Sequence, residues 1–387
     1  MQIITKRKYL SSFLILTFTI TTKQVAAQWA NEVYGSRAGA SLSSGSTNNT
    51  LIGNRSGLNV FKGSANTFLG SLSGLSVTNN NHNTFIGFQS GMDFRGSGST
   101  SIGGNTAVGS GSLRENITGS ENVAIGKDAL RESSSSSNTA VGFEAGFLNN
   151  EGGYLNTFIG HRSGKHNEEG TLNTFIGGHS GQENNGSFNV FLGVRSGLLN
   201  IGNHNLFAGF DSGVGNKKGS RNTFLGWAAG KENEDATENT FVGSHAGSDN
   251  SGGQASLNTY VGASSGSDNV SGRLNAFFGA HSGSGAQSGN ENTYVGAFAG
   301  SRNISGSGNV FLGYNTGKNE TGSDKLYIHN QSDATPLIYG EFDNEKVGIN
   351  TKNFPTTTDG GEDISSYSLF VEGGILTEEV RVSTGWA

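Results

Sequence analysis

The sequence predicts an all-β fold: a parallel β-roll or β-solenoid of about 17 coils, period about 17 residues, closed by a short C-terminal β segment. Three observations predict it. The phrase "NTFIGHRSG" at 156–164 returns as "NTFIGGHSG" at 173–181 and as "NTFLGWAAG" at 222–230. Its asparagine, taken as position 0, falls at 31, 49, 66, 83, 105, 122, 138, 156, 173, 189, 205, 222, 239, 258, 275, 292 and 309, and most steps are 16 to 18 residues. A short period held over seventeen copies describes a solenoid with one copy per coil. Composition agrees: Gly is 63 of 387 residues, Pro is 2, and the 33% of hydrophobic residues sit at fixed positions. That suits a thin core, and the missing Gly-X-Y pattern rules out collagen.

The first 27 residues read as an export signal. Lys6, Arg7 and Lys8 form a basic start, "LSSFLILTFTI" (10–20) an apolar core, and "VAA" (25–27) small residues that place cleavage after Ala27. The apolar core is shorter than the ~20 residues that span a bilayer, so no membrane span is expected after cleavage. The chain has no Cys, hence neither a lipid attachment point nor a disulfide framework. The expected location is secreted or cell surface, as for a bacterial export product. Cleavage leaves 21 cations against 31 acids, a net charge of −10 that argues against nucleic acid as a partner.

Residues 28–323 carry the repeat, and its positions have distinct characters. Position 2 is aromatic in twelve copies, including Phe158, Phe175, Phe191, Phe207, Phe224, Phe241, Tyr260, Phe277, Tyr294 and Phe311; it is Ala at 107, 124 and 140. Position 3 is mostly Ile, Leu or Val, position 4 is always Gly, and position 7 is Ser, Ala or Thr. Position 8 is Gly except at Leu113 and Leu130. Thr-Phe-Ile between Asn and Gly is a short strand, and glycines at 4 and 8 supply positive φ for two sharp turns per coil. Stacked coils about 4.8 Å apart align the asparagines. Asn156, Asn173, Asn189, Asn205, Asn222 and Asn239 are therefore expected to form a structural ladder that closes each turn.

Positions 2 and 3 point to opposite faces of a strand, and both are apolar. A narrow coil encloses one row and leaves the other outside. If position 2 lies outside, the chain presents a ladder of twelve aromatics, far more than a soluble monomer exposes. Self-association with that ladder at a common axis is the expected solution; a bulge that turns both rows inward is the alternative. The aromatic ladder is thus expected at an oligomer interface or in the core.

The phrases "NVAIGKDAL" (122–130) and "NTAVGSGSL" (105–113) resemble the head domains of trimeric autotransporter adhesins, and the wider pattern over about 31–382 resembles repeat-rich exported proteins of Bacteroidetes and phage-tail-fibre-like β-rolls. The resemblance implies a homotrimer and an adhesin-like fibre. Phe at position 2, where adhesin heads carry a small residue, departs from it. After the repeat, "KLYIHN" (325–330) and "PLIYGEFDNEKVGINT" (336–351) alternate apolar residues, so 324–352 reads as a closing β segment. Residues 353–366 read as a polar linker. "SLFVEGGILTEEV" in 367–387 resembles the neck of such fibres and stops short of the helix that would follow.

No constellation of chemistry emerges. His179, His245 and His281 share position 6 and would form rings of three on a trimer axis, but Arg, Asp and Glu occupy the same position elsewhere, which marks a solvated site. The acids of "NEEG" (167–170) and "ENED" (232–235) lie in the variable half of a coil. "GSGST" within 96–104 lacks the strand-to-helix context of a nucleophile elbow. Calcium-binding rolls need Asp at fixed spacing, and ice-binding faces need paired Thr ranks; neither is present. Trp227 and Phe298 are the candidate sugar platforms. No catalytic residue, cofactor or metal is expected. The function expected is a non-enzymatic exported fibre presenting loops for multivalent attachment to an unknown surface or glycan ligand. A polysaccharide-binding or polysaccharide-degrading β-helix is the alternative.

Overall fold

A computed structural model describes residues 31–96, 103–149, 152–331, 335–358 and 360–375. The expected export signal, most of the 96–104 connector and the end of the neck-like segment lie outside them. The chain is all-β: a parallel β-solenoid of about 17 coils, period about 17 residues, with no helix among the described residues. It divides into two compact units, Met1–Asn173 and Thr174–Ala387.

Every coil contributes one three-residue strand, positions 1 to 3 of its phrase. In the first unit these are β1 (Glu32–Tyr34), β2 (Thr50–Ile52), β3 (Thr67–Leu69), β4 (Thr84–Ile86), β5 (Thr106–Val108), β6 (Val123–Ile125), β7 (Thr139–Val141) and β8 (Thr157–Ile159). Each pairs in parallel with the next, like position on like. The second unit stacks β9 (Thr174–Ile176), β10 (Val190–Leu192), β11 (Leu206–Ala208), β12 (Thr223–Leu225), β13 (Thr240–Val242), β14 (Thr259–Val261), β15 (Ala276–Phe278), β16 (Thr293–Val295) and β17 (Val310–Leu312) in the same way. Parallel stacking continues into β18 (Lys325–Ile328). There the direction reverses: β19 (Ile338–Glu341) runs antiparallel to β18 and to β20 (Lys346–Ile349), and β21 (Leu369–Val371) lies parallel to β20.

The turns are sharper than two glycines explain. Position 4 holds φ between +125° and +144°, a region that only glycine occupies without strain. A Cβ on Gly226 would lie 2.5 Å from the Gly243 oxygen, so the coils touch backbone to backbone along this column. Position 8 is also left-handed, as are position 6 (Glu144 at 51°, His245 at 56°) and the residue before each Asn from Asn49 on (Phe188 at 61°, Leu257 at 63°). Non-glycine residues at those two places carry a local cost of order 1 kcal/mol each, and the stacked hydrogen bonds on either side hold them there.

The interior is filled by position 2. Phe68, Phe85 and Phe158 in the first unit are fully buried, as are all position-2 rings from Phe175 to Phe311 in the second. Those nine rings form one parallel stack, with neighbouring centroids 4.7 to 4.9 Å apart and planes within 8°. The strand spacing sets that interval. Position 8 must be glycine because its Cβ would enter the ring of its own coil; at Gly230 that ring is Phe224. The two exceptions follow from the same volume. Where position 2 shrinks to Ala107 and Ala124, position 8 becomes Leu113 and Leu130, both fully buried in the vacated space. The third alanine, Ala140, sits where a Cβ on Gly146 would meet Leu130 at 2.8 Å and Phe158 at 2.6 Å, so the neighbouring coils fill that gap.

Two tyrosines join the stack: the buried hydroxyl of Tyr260 lies near Asn275 and Asn269 and that of Tyr294 near Asn309, and neither makes a hydrogen bond of ordinary geometry. Burial pushes both well above the usual phenol range. An unmade hydrogen bond costs about 1–3 kcal/mol. Tyr260→Phe is therefore expected to raise stability by about 1 kcal/mol, read as a higher denaturant midpoint at unchanged slope. A lower midpoint would mean that the hydroxyl is satisfied.

Asparagine columns line the other side of the interior. Asn156, Asn173, Asn189, Asn205, Asn222 and Asn239 are all at most 2% exposed. In the second unit each backbone N–H donates to the Oδ1 of the asparagine one coil earlier: Asn205 to Asn189 and Asn222 to Asn205 at 2.9 Å, Asn239 to Asn222 at 3.0 Å. The first unit repeats this up to Asn156 to Asn138 and Asn173 to Asn156, both 2.9 Å. Most Nδ2 groups cross the coil to a carbonyl, as Asn222 does to Ala236 at 2.9 Å, while those of Asn83 and Asn138 donate to the carbonyl two residues earlier. A second column stands at position 11. Asn200, Asn216, Asn233, Asn250 and Asn269 are fully buried, and Nδ2 donates to the previous Oδ1, at 2.8 Å from Asn233 to Asn216. Position-7 serines complete the polar lining: Ser212 Oγ donates to the Phe224 carbonyl at 3.0 Å.

Candidate interaction surface

With position 2 inside, positions 1 and 3 face out. This corrects the expectation that the aromatic ladder stands at an oligomer axis: no bulge forms, the rings are core, and the outward row is the aliphatic one. The reason is volume, since the position-8 glycine leaves a slot inside the coil that a phenyl ring fills. From β2 to β17 the middle residue of each strand is buried and the two flanking ones are half-exposed or exposed. Position 3 is open at Leu69 (44%), Ile125 (40%), Leu192 (39%), Phe278 (41%) and Leu312 (44%). Position 1 stacks Thr on Thr, as in Thr67↔Thr84 and Thr223↔Thr240. From β2 to β17 neither row holds a single charged residue.

Past the glycine corner, positions 5 and 6 carry the chemistry-bearing side chains. In the first unit the Phe143 ring meets His161 face to face at 5.3 Å, Lys127 Nζ at 5.3 Å and the Arg162 guanidinium at 5.8 Å. Glu144 is bridged by Arg162 Nε at 3.0 Å and Lys165 Nζ at 2.9 Å. Desolvation raises its pKa, but those hydrogen bonds and charges outweigh it and hold the carboxyl below its ordinary value. In the second unit Val194, Phe210 and Trp227 follow one another at position 5 on successive coils, 45%, 47% and 55% exposed.

The histidines singled out in the sequence do not converge. His245 sits edge-on to Trp227 at 4.5 Å, His281 stacks on Phe298 at 4.9 Å, and His179 Nδ1 lies 2.5 Å from Gln182 Oε1. His204 stacks on Phe188 at 4.8 Å. The missed signal is that His204 and His281 each share a repeat position with an aromatic one coil away. No group of three His, Asp or Glu among the described residues could hold a metal ion. Burial and the nearby Asp268 and Glu232 raise the pKa of Asp249. These three acids share position 10 on consecutive coils.

Two of the cavities on the described surface are well lined. One, of about 390 Å³ in the first unit, is lined by Thr118, Ser134, Ser135, Ser136, Gly152 and Tyr154. The other, of about 500 Å³, lies between Leu312, Gly313, Ile328, His329, Asn330 and Leu337, where the parallel stack gives way to the β18–β19 pair. Neither brings acids or nucleophiles together. No helix among the described residues is long and apolar enough to cross a membrane. Comparison with protein-family models found no match, and neither did comparison with the curated proteins or with the solved structures.

Proposed function

We propose that the chain is a non-enzymatic, exported, adhesin-like surface fibre that self-associates through the outward face of its strands, with the homotrimer as the expected assembly. The observation that carries the reading is the uncharged double row of Thr and aliphatic side chains. Nine coils of the second unit at ~4.8 Å give a strip roughly 43 Å long and, two side chains wide, about 400 Å². That is the size of the largest apolar patch an ordinary soluble monomer exposes, which is often functional. A copy of the same chain matches it best, because an identical repeat places Thr opposite Thr and aliphatic opposite aliphatic at every coil. The leader-like residues 1–27 and the Cys-free composition support export. Repetition supports attachment by many weak contacts.

The test is the solution mass of residues 28–387 by sedimentation, beside Leu192→Lys/Phe278→Lys. Both side chains are exposed in the single chain, so the variant is expected to keep its β circular-dichroism spectrum. The wild type is expected at three times the chain mass and the variant at one. A monomeric wild type overturns the assembly.

A further inference from the structure

We propose that Val194, Phe210 and Trp227 form a binding platform for an unbranched β-1,4-linked glycan. This deepens the reading of the chain as an exported surface protein by naming a ligand class, and it rests on that reading. The three side chains occupy position 5 on consecutive coils, beyond the glycine corner that ends the Thr and aliphatic rows. Each is close to half exposed. The column is limited: it gives way to Gly178 on one side and to Ser244, Ala263 and Ala280 on the other.

The platform is held in place before any ligand arrives. Asp211, 7% exposed, accepts two hydrogen bonds from Arg195, from Nε at 2.7 Å and from a terminal guanidinium nitrogen at 2.5 Å. The guanidinium so fixed lies 5.1 Å from the centre of the Phe210 ring. On the far side, the His245 ring abuts Trp227 edge-on, and His245 Nδ1 is 2.9 Å from Ser244 Oγ. Apolar rings are thus flanked by one fixed cation, its carboxylate and an imidazole. Groups ordered in advance lose little entropy on binding.

Size and chemistry choose the occupant. Three half-exposed side chains offer roughly 250 Å² in a column three coils long, a narrow strip that one linear oligosaccharide covers. A pyranose presents a C–H face that stacks on an aromatic ring and hydroxyls at its rim that pair with fixed donors and acceptors. A β-1,4-linked chain is flat and advances per sugar by about one coil spacing, so successive sugars meet Val194, Phe210 and Trp227 in turn.

The experiment titrates residues 28–387 with cellohexaose and with chitohexaose by calorimetry, using maltohexaose as the α-linked control. Binding of at least one β-linked hexamer at millimolar concentration is expected, with none of the control. Trp227→Ala is expected to weaken it at least tenfold and Phe210→Ala several-fold, while Phe61→Ala, at an exposed ring of the first unit, leaves it unchanged. Trp227→Phe is expected to recover part of the loss. The proposal is overturned if neither β-linked hexamer binds or if Trp227→Ala binds as the wild type does. It is also overturned if Trp227→Ala changes the sedimentation mass, which would make the patch a contact between copies. Because the aliphatic-row variant reports on assembly alone, failure of the platform and failure of the fibre reading are separable.

Discussion

Phe224→Ala is expected to cost about 3–5 kcal/mol, and Gly230→Leu in the same chain to return about 1–2 kcal/mol of it. The first number follows from full burial: removing the ring opens a cavity between Phe207 and Phe241, its stacking partners at 4.7 and 4.9 Å. The second follows from the molecule's own substitutions. Ala107 with Leu113, and Ala124 with Leu130, show that a leucine at position 8 occupies the space of a missing ring at φ of 49° and 46°. The strain of a left-handed leucine, about 1 kcal/mol, keeps the rescue partial. Gly230→Leu alone should be as damaging as Phe224→Ala, since the leucine would enter the ring. Denaturant unfolding of the four proteins gives the coupling. If the two changes add without rescue, position 8 is not the partner of position 2.

Asn222→Leu is expected to cost about 1–3 kcal/mol, the range for one orphaned buried group. It leaves the Asn239 N–H without its acceptor and the Ala236 carbonyl without the Nδ2 donor, both in a fully buried place. The Ala236 carbonyl keeps its bond from Asn233 Nδ2 at 2.9 Å, so most of the loss falls on the Asn239 amide. Native-state hydrogen exchange at that amide measures it, and the exchange of Asn239 should rise more than that of Asn205. Equal protection in wild type and variant would show the bond to be dispensable.

Much of this fold is legible in the sequence, because a repeat prints each structural demand many times over. The Asn at position 0 and the Gly at position 4 are invariant, and both have single physical reasons in the stacked coils. The choice between positions 2 and 3 was not legible from alternation, which is symmetric between the faces. The deciding signal was the compensation between Ala107 and Leu113 and between Ala124 and Leu130, which only an interior can impose. The position-11 asparagines escaped notice because they lie in the variable half, where Val60, Val77 and Phe94 replace them in early coils. Left-handed residues at position 6 carry no compositional mark at all, since Arg, Asp, His and Phe all serve there. The candidate surface was legible only as a demand that one apolar row must face out.

The uniformity of the stack also bears on how the chain finds its own register. A rung that reads Thr-Phe-Leu or Thr-Phe-Ile accepts another such rung from anywhere in the sequence, so a slip by one whole repeat loses little pairing energy. The first unit carries its own index marks: the Ala-for-Phe exchanges at 107, 124 and 140, and the apolar side chains of Val60, Val77 and Phe94 where later coils have asparagine. From Phe175 to Phe311 the rings are nearly interchangeable. There the alignment is fixed by unequal coil lengths and by the antiparallel β18–β19 pair, which no earlier rung can imitate. A solenoid built for sameness thus keeps its address in its irregularities.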